Sequence, residues 1–411
     1  MLSEEYFDPE KRATVDQLHN VRPFIEAPPT KEPVDFMDLD TIDLSTFQDG
    51  PQGLSSRQKL AQQLESVLTD YGFFKLVGHG ISEATFERMK SIGQAIFELE
   101  DDIKNQFVGG EKKIPQEEER DLGVIRGTGF KPRGYLEYTN GQRDNVEFYN
   151  LRHFQHDDIF YNKTEYPEFV KYHLDEISEY FKHLHFETLR KLLILMDIIL
   201  ELPEGQLWEN HFKVIENDIN RSGGGRARFL MYHEVEKEYV KKTNGTWLRG
   251  HSDACAITFI LSQPIVSLQV REHDSNNWKY ISHTSNSLVV NIGDAFKFLT
   301  GGYFKSSLHR VTTPPGDQLK HKRNTVIYFS NPSLTTYIDP LSLNSPKLDR
   351  LGYGIEPGVE RITFKQWDEA KGTYFNQKNQ QNSKEVSLLG RSTLMSYIDG
   401  APSEKKALSV S

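Results

Sequence analysis

The sequence predicts an α+β fold: a double-stranded β-helix (jelly roll) core flanked by helices. Three observations carry that expectation. Apolar residues at helical spacing dominate the segment before Leu202. After Arg226, eight short runs rich in β-branched and aromatic residues follow one another, separated by Asn, Asp, Gly, Pro and Ser. That pattern suits a sandwich or a jelly roll. No segment repeats at solenoid spacing. Helices first and strands later are compatible with two domains, but one compact unit, helices packed around the β-helix, is the expectation.

The elements follow in order. Residues 1–33 are polar and proline-bearing and read as an arm or a disordered tail. "VDFMDLDTIDL" (34–44) alternates as a strand does. In "SSRQKLAQQLESVLTDYG", Ser55 and Gln58 make a capping box, Leu60, Leu64, Val67, Leu68 and Tyr71 form one apolar stripe, and Gly72 stops the helix. "FFKLVGHGI" (73–81) reads as a short buried strand, and a second helix is expected from about Glu83 to Phe107. Residues 108–130 are charged, glycine-rich and aperiodic, and are expected to form a mobile surface loop. A long helix from about Pro167 to Leu202 carries Val170, Leu174, Ile177, Phe181, Leu184, Leu192, Met196 and Ile199 on one face, and "SGGGR" (222–226) breaks the chain. The eight strand-like runs are "RARFLMYH", "TWLRGH", "AITFILS", "VSLQVRE", "WKYIS", "SLVVNI", "SLHRVTT" and "NTVIYFS". The division expected is a polar N-terminal arm (1–33), a helical and mixed region (34–225), a jelly-roll core (226–345) and a C-terminal helix, "TFKQWDEAKGTYF", with a polar tail (346–411).

With 411 residues, 37% of them hydrophobic and 11% aromatic, the chain has the composition of a soluble globular protein with a large core. A net charge of −10 leaves no basic surplus for phosphates, which argues against a nucleic-acid partner. No run reaches membrane-spanning length and the polar N-terminus carries no secretory signal. The single cysteine, Cys255, excludes an internal disulfide and suits a reducing compartment. A cytoplasmic protein is expected, with the nucleus left open, and the sequons at Asn162 and Asn244 then stay unmodified.

The chemistry concentrates in "RGHSDACAITF", Arg249 to Phe259. Residues i and i+2 of a strand share a face, so His251 and Asp253 stand side by side. That suits a metal, and equally a plain hydrogen bond. His309, in the separate strand "SLHRVTT", supplies a third ligand. Two histidines and one carboxylate are the facial triad of non-haem Fe(II) oxygenases, which leaves positions open for a co-substrate and dioxygen. Arg323 and Thr325 in "KRNTVIYFSNP" share a strand face, where a guanidinium and a hydroxyl can anchor a dicarboxylate such as 2-oxoglutarate. Each piece alone is weak, since a strand histidine is more often a core residue and a lone arginine more often a surface ion pair. The order of the pieces carries the weight.

That order, together with "YGFFKLVGHGI", "RGYLEYTNGQRDNVEFYNL" (133–151) and "SLVVNIGDAFKFLTGGYFKSSLHRV", resembles the isopenicillin N synthase-like branch of the Fe(II)/2-oxoglutarate-dependent dioxygenases over roughly Val34 to Pro332. The resemblance implies that His251, Asp253 and His309 ligate iron and that Arg323 and Thr325 hold the distal carboxylate of 2-oxoglutarate. Tyr232 falls where the family has an aromatic residue near the co-substrate, although the family's "NYYP" reads "LMYH" in this chain. It implies Fe(II), 2-oxoglutarate and O2, and hydroxylation of a small organic molecule with release of succinate and CO2. Desaturation or ring closure would use the same iron. The substrate is not legible, and loop 108–138 and the C-terminal tail are expected to shape its pocket. Two alternatives stand beside this reading. One is an iron oxidase of the same fold that does not use 2-oxoglutarate, with Arg323 holding another anion. The other is a non-catalytic small-ligand-binding module, against which the intact triad counts.

The remaining residues take plainer readings. Cys255 replaces a family glycine and reads as a small buried side chain. His79 is structural, and His183 and His185, two apart on a helix, point to different faces. His233 reads as strand filler, Arg310 as a fold-supporting ion pair, "PPGDQLKHK" as a surface loop and "PQEEERD" as a solvated face.

Overall fold

The computed structural model describes residues 2–109, 123–136, 142–273, 277–355, 357–376 and 385–394. Its strands in chain order are β1 (Phe36–Met37), β2 (Thr41–Asp43), β3 (Phe73–Val77), β4 (Gly129–Lys131), β5 (Val146–Arg152), β6 (Gly224–Tyr232), β7 (Thr246–His251), β8 (Ile257–Leu261), β9 (Leu268–Arg271), β10 (Trp278–Ile281), β11 (Leu288–Ile292), β12 (His309–Thr312), β13 (Arg323–Asn331), β14 (Glu385–Leu388) and β15 (Arg391–Leu394). The eight runs expected after Arg226 are β6 to β13. They build two facing sheets, one ordered β1-β10-β9-β12-β7 and the other β2-β3-β11-β8-β13-β6-β5-β4, antiparallel except at β1–β10 and β2–β3. This is the jelly roll.

The larger sheet is buried on both faces, which explains its nearly unbroken apolar runs. In β13, Val326 and Tyr328 join the outer core, whereas Ile327 and Phe329 turn toward the second sheet. In β6, Ala227, Phe229 and Met231 face outward, while Leu230 and Tyr232 face inward. The outer core is completed by the helix Leu54–Asp70, the helix Glu83–Phe97 and the helical run from Glu168 to Ile199. The inner space between the sheets holds the smaller core and the cavity described below.

Several elements differ from expectation. Residues 34–44 form two strands, not one: β1 pairs with β10 and β2 with β3, so the segment bridges both sheets. The capping box of Ser55 and Gln58 is not formed, because a 3-10 turn, Pro51–Gly53, runs straight into the helix and puts Gly53 at its N-cap. Gly72 does stop that helix, at φ +66 with its N–H donating to the Val67 carbonyl. The helix expected to reach Phe107 ends at Phe97; Leu99 turns into the core and a short helix, Asp101–Gln106, follows. The helix expected over 167–202 keeps its apolar face buried but changes pitch, with a π-helical turn at Leu184–Leu189 between Leu174–His183 and Arg190–Ile199. Apolar residues along the whole run, Phe181 before the turn, Leu184 within it, and Leu192 and Met196 after it, stay buried.

Of the loop expected over 108–130, and of the "PQEEERD" run, residues 110–122 lie outside the described residues. The rest is not a surface loop: Phe130 and Lys131 are fully buried in β4, at the sheet edge beside β5. The N-terminal arm is docked on the helical run rather than disordered. The helix Pro9–Leu18, capped by Asp8, presents Asp16 to His173 at 2.8 Å, and Arg12 pairs with Asp175. The tail adds a hairpin, β14–β15, after the expected helix, Phe364–Asn376. Among the described residues no helix is long and apolar enough to cross a membrane.

Candidate active site

Antiparallel pairing of β7 with β12 sets His251 opposite His309, with ring centroids 4.5 Å apart. Beyond His251 the chain leaves the strand, and the loop back to β8 carries Asp253. Gly293, just after β11, allows that loop to lie close, since a side chain there would collide with the Cys255 carbonyl. Its N–H instead donates to the Ala256 carbonyl at 2.8 Å, and the Asp294 N–H to the Asp253 carbonyl at 2.7 Å.

The three side chains converge. Asp253 Oδ1 is 3.6 Å from His251 Nε2 and 3.8 Å from His309 Nε2, and the three donor atoms lie within 4.8 Å of one another. Donors each about 2.1 Å from one first-row ion stand roughly 3–4 Å apart, so the spacing fits a metal held by two nitrogens and one oxygen. The other ends of the side chains are also held. His251 Nδ1 is 2.9 Å from the Arg249 carbonyl and His309 Nδ1 is 3.2 Å from the Ser307 carbonyl. Those carbonyls can only accept, so both imidazoles carry the proton on Nδ1 and direct the Nε2 lone pair inward. Asp253 Oδ2 accepts from Thr258 Oγ1 at 2.6 Å and from Asn291 Nδ2 at 2.9 Å.

The electrostatics suit metal ligands. Burial, with His309 alongside, lowers the pKa of His251 to about 4, which keeps it neutral. Burial works against ionisation of Asp253, but the two facing imidazoles and the bonds from Asn291 and Thr258 outweigh it and hold the carboxyl well below its usual range. The neighbouring Cys255 thiol is pushed far up by burial and contacts Thr258 Oγ1 at 3.1 Å, so it is a small buried side chain and not a thiolate.

The three donors line a cavity of about 140 Å³ between the sheets. Leu230, Ile260, Leu268 and Val311 form apolar walls. Arg323, 5% exposed, projects into it from the start of β13 and pairs in register with Tyr232. Its guanidinium carbon is 5.1 Å from the Tyr232 ring centre, over the ring face. No carboxylate among the described residues forms an ion pair with it, so a buried cation here awaits an anion. Tyr232 itself stacks on Trp247 at 5.1 Å. Thr325 does not line the cavity. It is fully buried and its hydroxyl makes a long 3.5 Å bond to the Leu261 carbonyl. The "PPGDQLKHK" segment is accommodated as a loop without shifting the β13 register.

The other histidines sit as structural groups. His79 Nε2 contacts the Asn286 carbonyl at 3.1 Å, His183 reaches the His79 carbonyl at 2.7 Å, and His185 contacts the Tyr328 hydroxyl at 2.6 Å. His233, just past the end of β6, contacts Glu147 at 2.8 Å. Arg310 donates to Gln269 at 2.7 Å and lies 4.2 Å over the Trp278 ring.

Sequence reasoning missed Thr258 and Asn291, which are cross-strand partners on β8 and β11. Their signal was a lone polar residue in each of two apolar runs, "AITFIL" and "LVVNI". It also missed Lys371, whose ammonium donates to the Ser252 carbonyl at 2.7 Å, between the two ligands, and pairs with Asp294 and Thr393. Trp367 Nε1 donates to the Ala254 carbonyl at 3.3 Å, so the C-terminal helix clamps the ligand loop from outside.

Two family models match the chain: the 2OG-Fe(II) oxygenase superfamily over residues 227–332, and the non-haem dioxygenase in morphine synthesis N-terminal region over residues 39–171. The 2-oxoglutarate-dependent dioxygenase citB of Monascus ruber is 26% identical over 74% of this chain and 87% of its own length. The leucoanthocyanidin dioxygenase of Perilla frutescens is 28% identical over 66% of this chain and 67% of its own. Among solved structures, a full-length Neurospora crassa protein in complex with alpha-KG and 5-formyluracil superposes with a TM-score of 0.64 at 17% identity, covering 84% of this chain and 99% of that one. JOX2 in complex with 2OG, Fe and JA gives 0.60 at 20% identity, covering 86% and 91%.

Proposed function

Because the chain belongs to the Fe(II)/2-oxoglutarate-dependent oxygenase family, we propose that His251, Asp253 and His309 hold its ferrous ion and that Arg323, with Tyr232 and Thr325, receives the distal carboxylate of 2-oxoglutarate. The chain is an enzyme that acts with Fe(II), 2-oxoglutarate and O2 on a small molecule. The proposed reaction is hydroxylation with release of succinate and CO2. One observation carries the ligand assignment: two Nε2 atoms and one carboxylate oxygen converge, each turned inward by a hydrogen bond at the opposite end of its side chain.

When bound, iron and 2-oxoglutarate supply the dioxygen chemistry and the electrons that the side chains lack. The protein positions and shields. The Arg249 and Ser307 carbonyls fix the imidazole tautomers, and Asn291 and Thr258 fix the carboxylate so that Oδ1 points inward. Arg323 supplies a fixed fork of donors with no competing carboxylate, and Tyr232 holds that fork in place. Thr325 shares the Arg323 strand face, and its long bond to Leu261 is weak enough to be exchanged for an anion on Arg323. The apolar walls exclude water. We assign the enzyme to the cytoplasm on the strength of its single, buried cysteine.

The test is oxygen uptake and succinate release by purified protein supplied with Fe(II). Turnover that needs both Fe(II) and 2-oxoglutarate is expected. Iron-dependent oxygen uptake indifferent to 2-oxoglutarate would overturn the co-substrate assignment, and no iron uptake at all would overturn the metal site.

A further inference from the structure

The cavity wall carries more positive charge than iron and 2-oxoglutarate use. Six cationic side chains line it: Arg126, Lys131, Arg226, Arg228, Arg323 and Lys371. Three are neutralised, Arg126 by Asp368, Lys131 by Asp144 and Lys371 by Asp294. Arg323 is assigned above to 2-oxoglutarate. Arg228 donates to Asn150 at 2.8 Å and stacks 3.7 Å from the Phe148 ring centre. Arg226 is different. Its side chain makes no hydrogen bond or ion pair with any described residue, and its buried Nε has no acceptor. Its guanidinium lies 4.7 Å over the ring of Phe329, its partner in the β6–β13 register.

That register also sets the distance between the two unanswered arginines. Arg323 sits opposite Tyr232 and Phe329 opposite Arg226, six residues along each strand, which is about 20 Å. One small dicarboxylate on Arg323 therefore leaves Arg226 unserved. A half-buried guanidinium whose Nε is sealed from water with no acceptor loses hydration that nothing in the described residues replaces.

We propose that the primary substrate is an organic monocarboxylate with an aromatic or apolar body, whose carboxylate docks on Arg226 while the body lies along Phe329, Phe148 and Leu248. This rests on the function proposed above and names the substrate class for that site. The guanidinium remains charged at neutral pH, since burial, with Arg152 alongside, lowers its pKa only to about 10. Docked there, the carboxylate fixes one end of the substrate and presents the body to the triad.

The experiment uses the full-length wild-type protein with Fe(II) and 2-oxoglutarate. Succinate release is measured with no addition, then with 2-naphthylacetate, 4-phenylbutyrate and cyclohexylacetate, each beside its carboxamide and methyl ester. At least one acid is expected to raise the rate, with its amide and ester requiring concentrations roughly tenfold higher or more. Arg226→Gln should raise the half-saturating acid concentration roughly 10- to 100-fold and erase the preference for acid over amide. Arg226→Lys should retain that preference in part. The acid-to-amide ratio is taken within each protein, so it does not depend on how much of a variant folds. Equal stimulation by acids and amides, no effect of any acid, or an undiminished preference in Arg226→Gln would each overturn the proposal. Succinate release across all conditions separates the two readings: its absence in the wild type with and without every addition counts against the 2-oxoglutarate oxygenase itself, whereas its presence without an acid preference counts only against Arg226.

Discussion

Asn291→Ala isolates what holds the carboxylate ligand. Asn291 is fully buried, and its amide donates to Asp253 Oδ2 at 2.9 Å, the second of two bonds to that oxygen beside the 2.6 Å bond from Thr258. A hydrogen bond to a charged group contributes about 1.5–3 kcal/mol. Tenfold in affinity corresponds to about 1.4 kcal/mol, so loss of this bond should weaken metal binding roughly 10- to 100-fold, the range typical of such supporting partners. Binding is weakened and not abolished, because the Thr258 bond still aims the carboxylate. The fold should tolerate the change: Asn291 Oδ1 is a buried acceptor without a partner, so the substitution also removes an unsatisfied atom. The assay is calorimetric titration of metal-free protein with Mn(II), a redox-silent substitute for Fe(II), under anaerobic conditions. Thr258→Val should behave similarly, and the double variant should bind more weakly than either. A dissociation constant within about threefold of wild type in Asn291→Ala would refute the reasoning.

His251→Ala and Asp253→Ala should each abolish Fe(II) uptake and turnover while circular dichroism stays close to wild type; iron retained at full stoichiometry would count against the ligand set. Arg323→Ala should raise the KM for 2-oxoglutarate roughly 10- to 100-fold with a smaller change in kcat, and an unchanged KM would remove Arg323 as the anchor. Metal-free protein should lose stability in urea as pH falls from about 7 to 5. Burial, with His156 nearby, lowers the pKa of His185 to about 3, and burial lowers His156 and His211 to about 4. Each binds its proton more readily in the unfolded chain, so its contribution is complete above about pH 6.5 and falls by up to about 1.4 kcal/mol per pH unit below it. A flat urea midpoint across that window would show that these imidazoles are not buried neutral.

The strands of the jelly roll were legible because each is short, apolar and closed off by turn residues. His251, Asp253 and His309 were legible because the ligand types recur at a fixed order. The helix boundaries were not. The stripe from Val170 to Ile199 reads the same whether or not the backbone makes a π turn at Leu184–Leu189, since burial selects the face and not the hydrogen-bond pitch. The break after Phe97 depends on Leu99 turning into a core that no local pattern describes. Residues 34–44 alternate like one strand, yet each half has a different sheet edge to satisfy. Lys131 looks like loop charge in the sequence, but Asp144, thirteen positions on, neutralises it inside the sheet. Asn291 and Thr258 acquire their role only through the pairing of β11 with β8. That Arg226 has no hydrogen-bond or ion-pair partner among the described residues is likewise a property of the assembled cavity.

The most direct measurement is anomalous diffraction at the iron edge from crystals of the full chain grown anaerobically with Fe(II) and 2-oxoglutarate. One peak is expected, within bonding distance of His251 Nε2, Asp253 Oδ1 and His309 Nε2. A peak elsewhere, or none at full Fe(II) loading, would contradict the account.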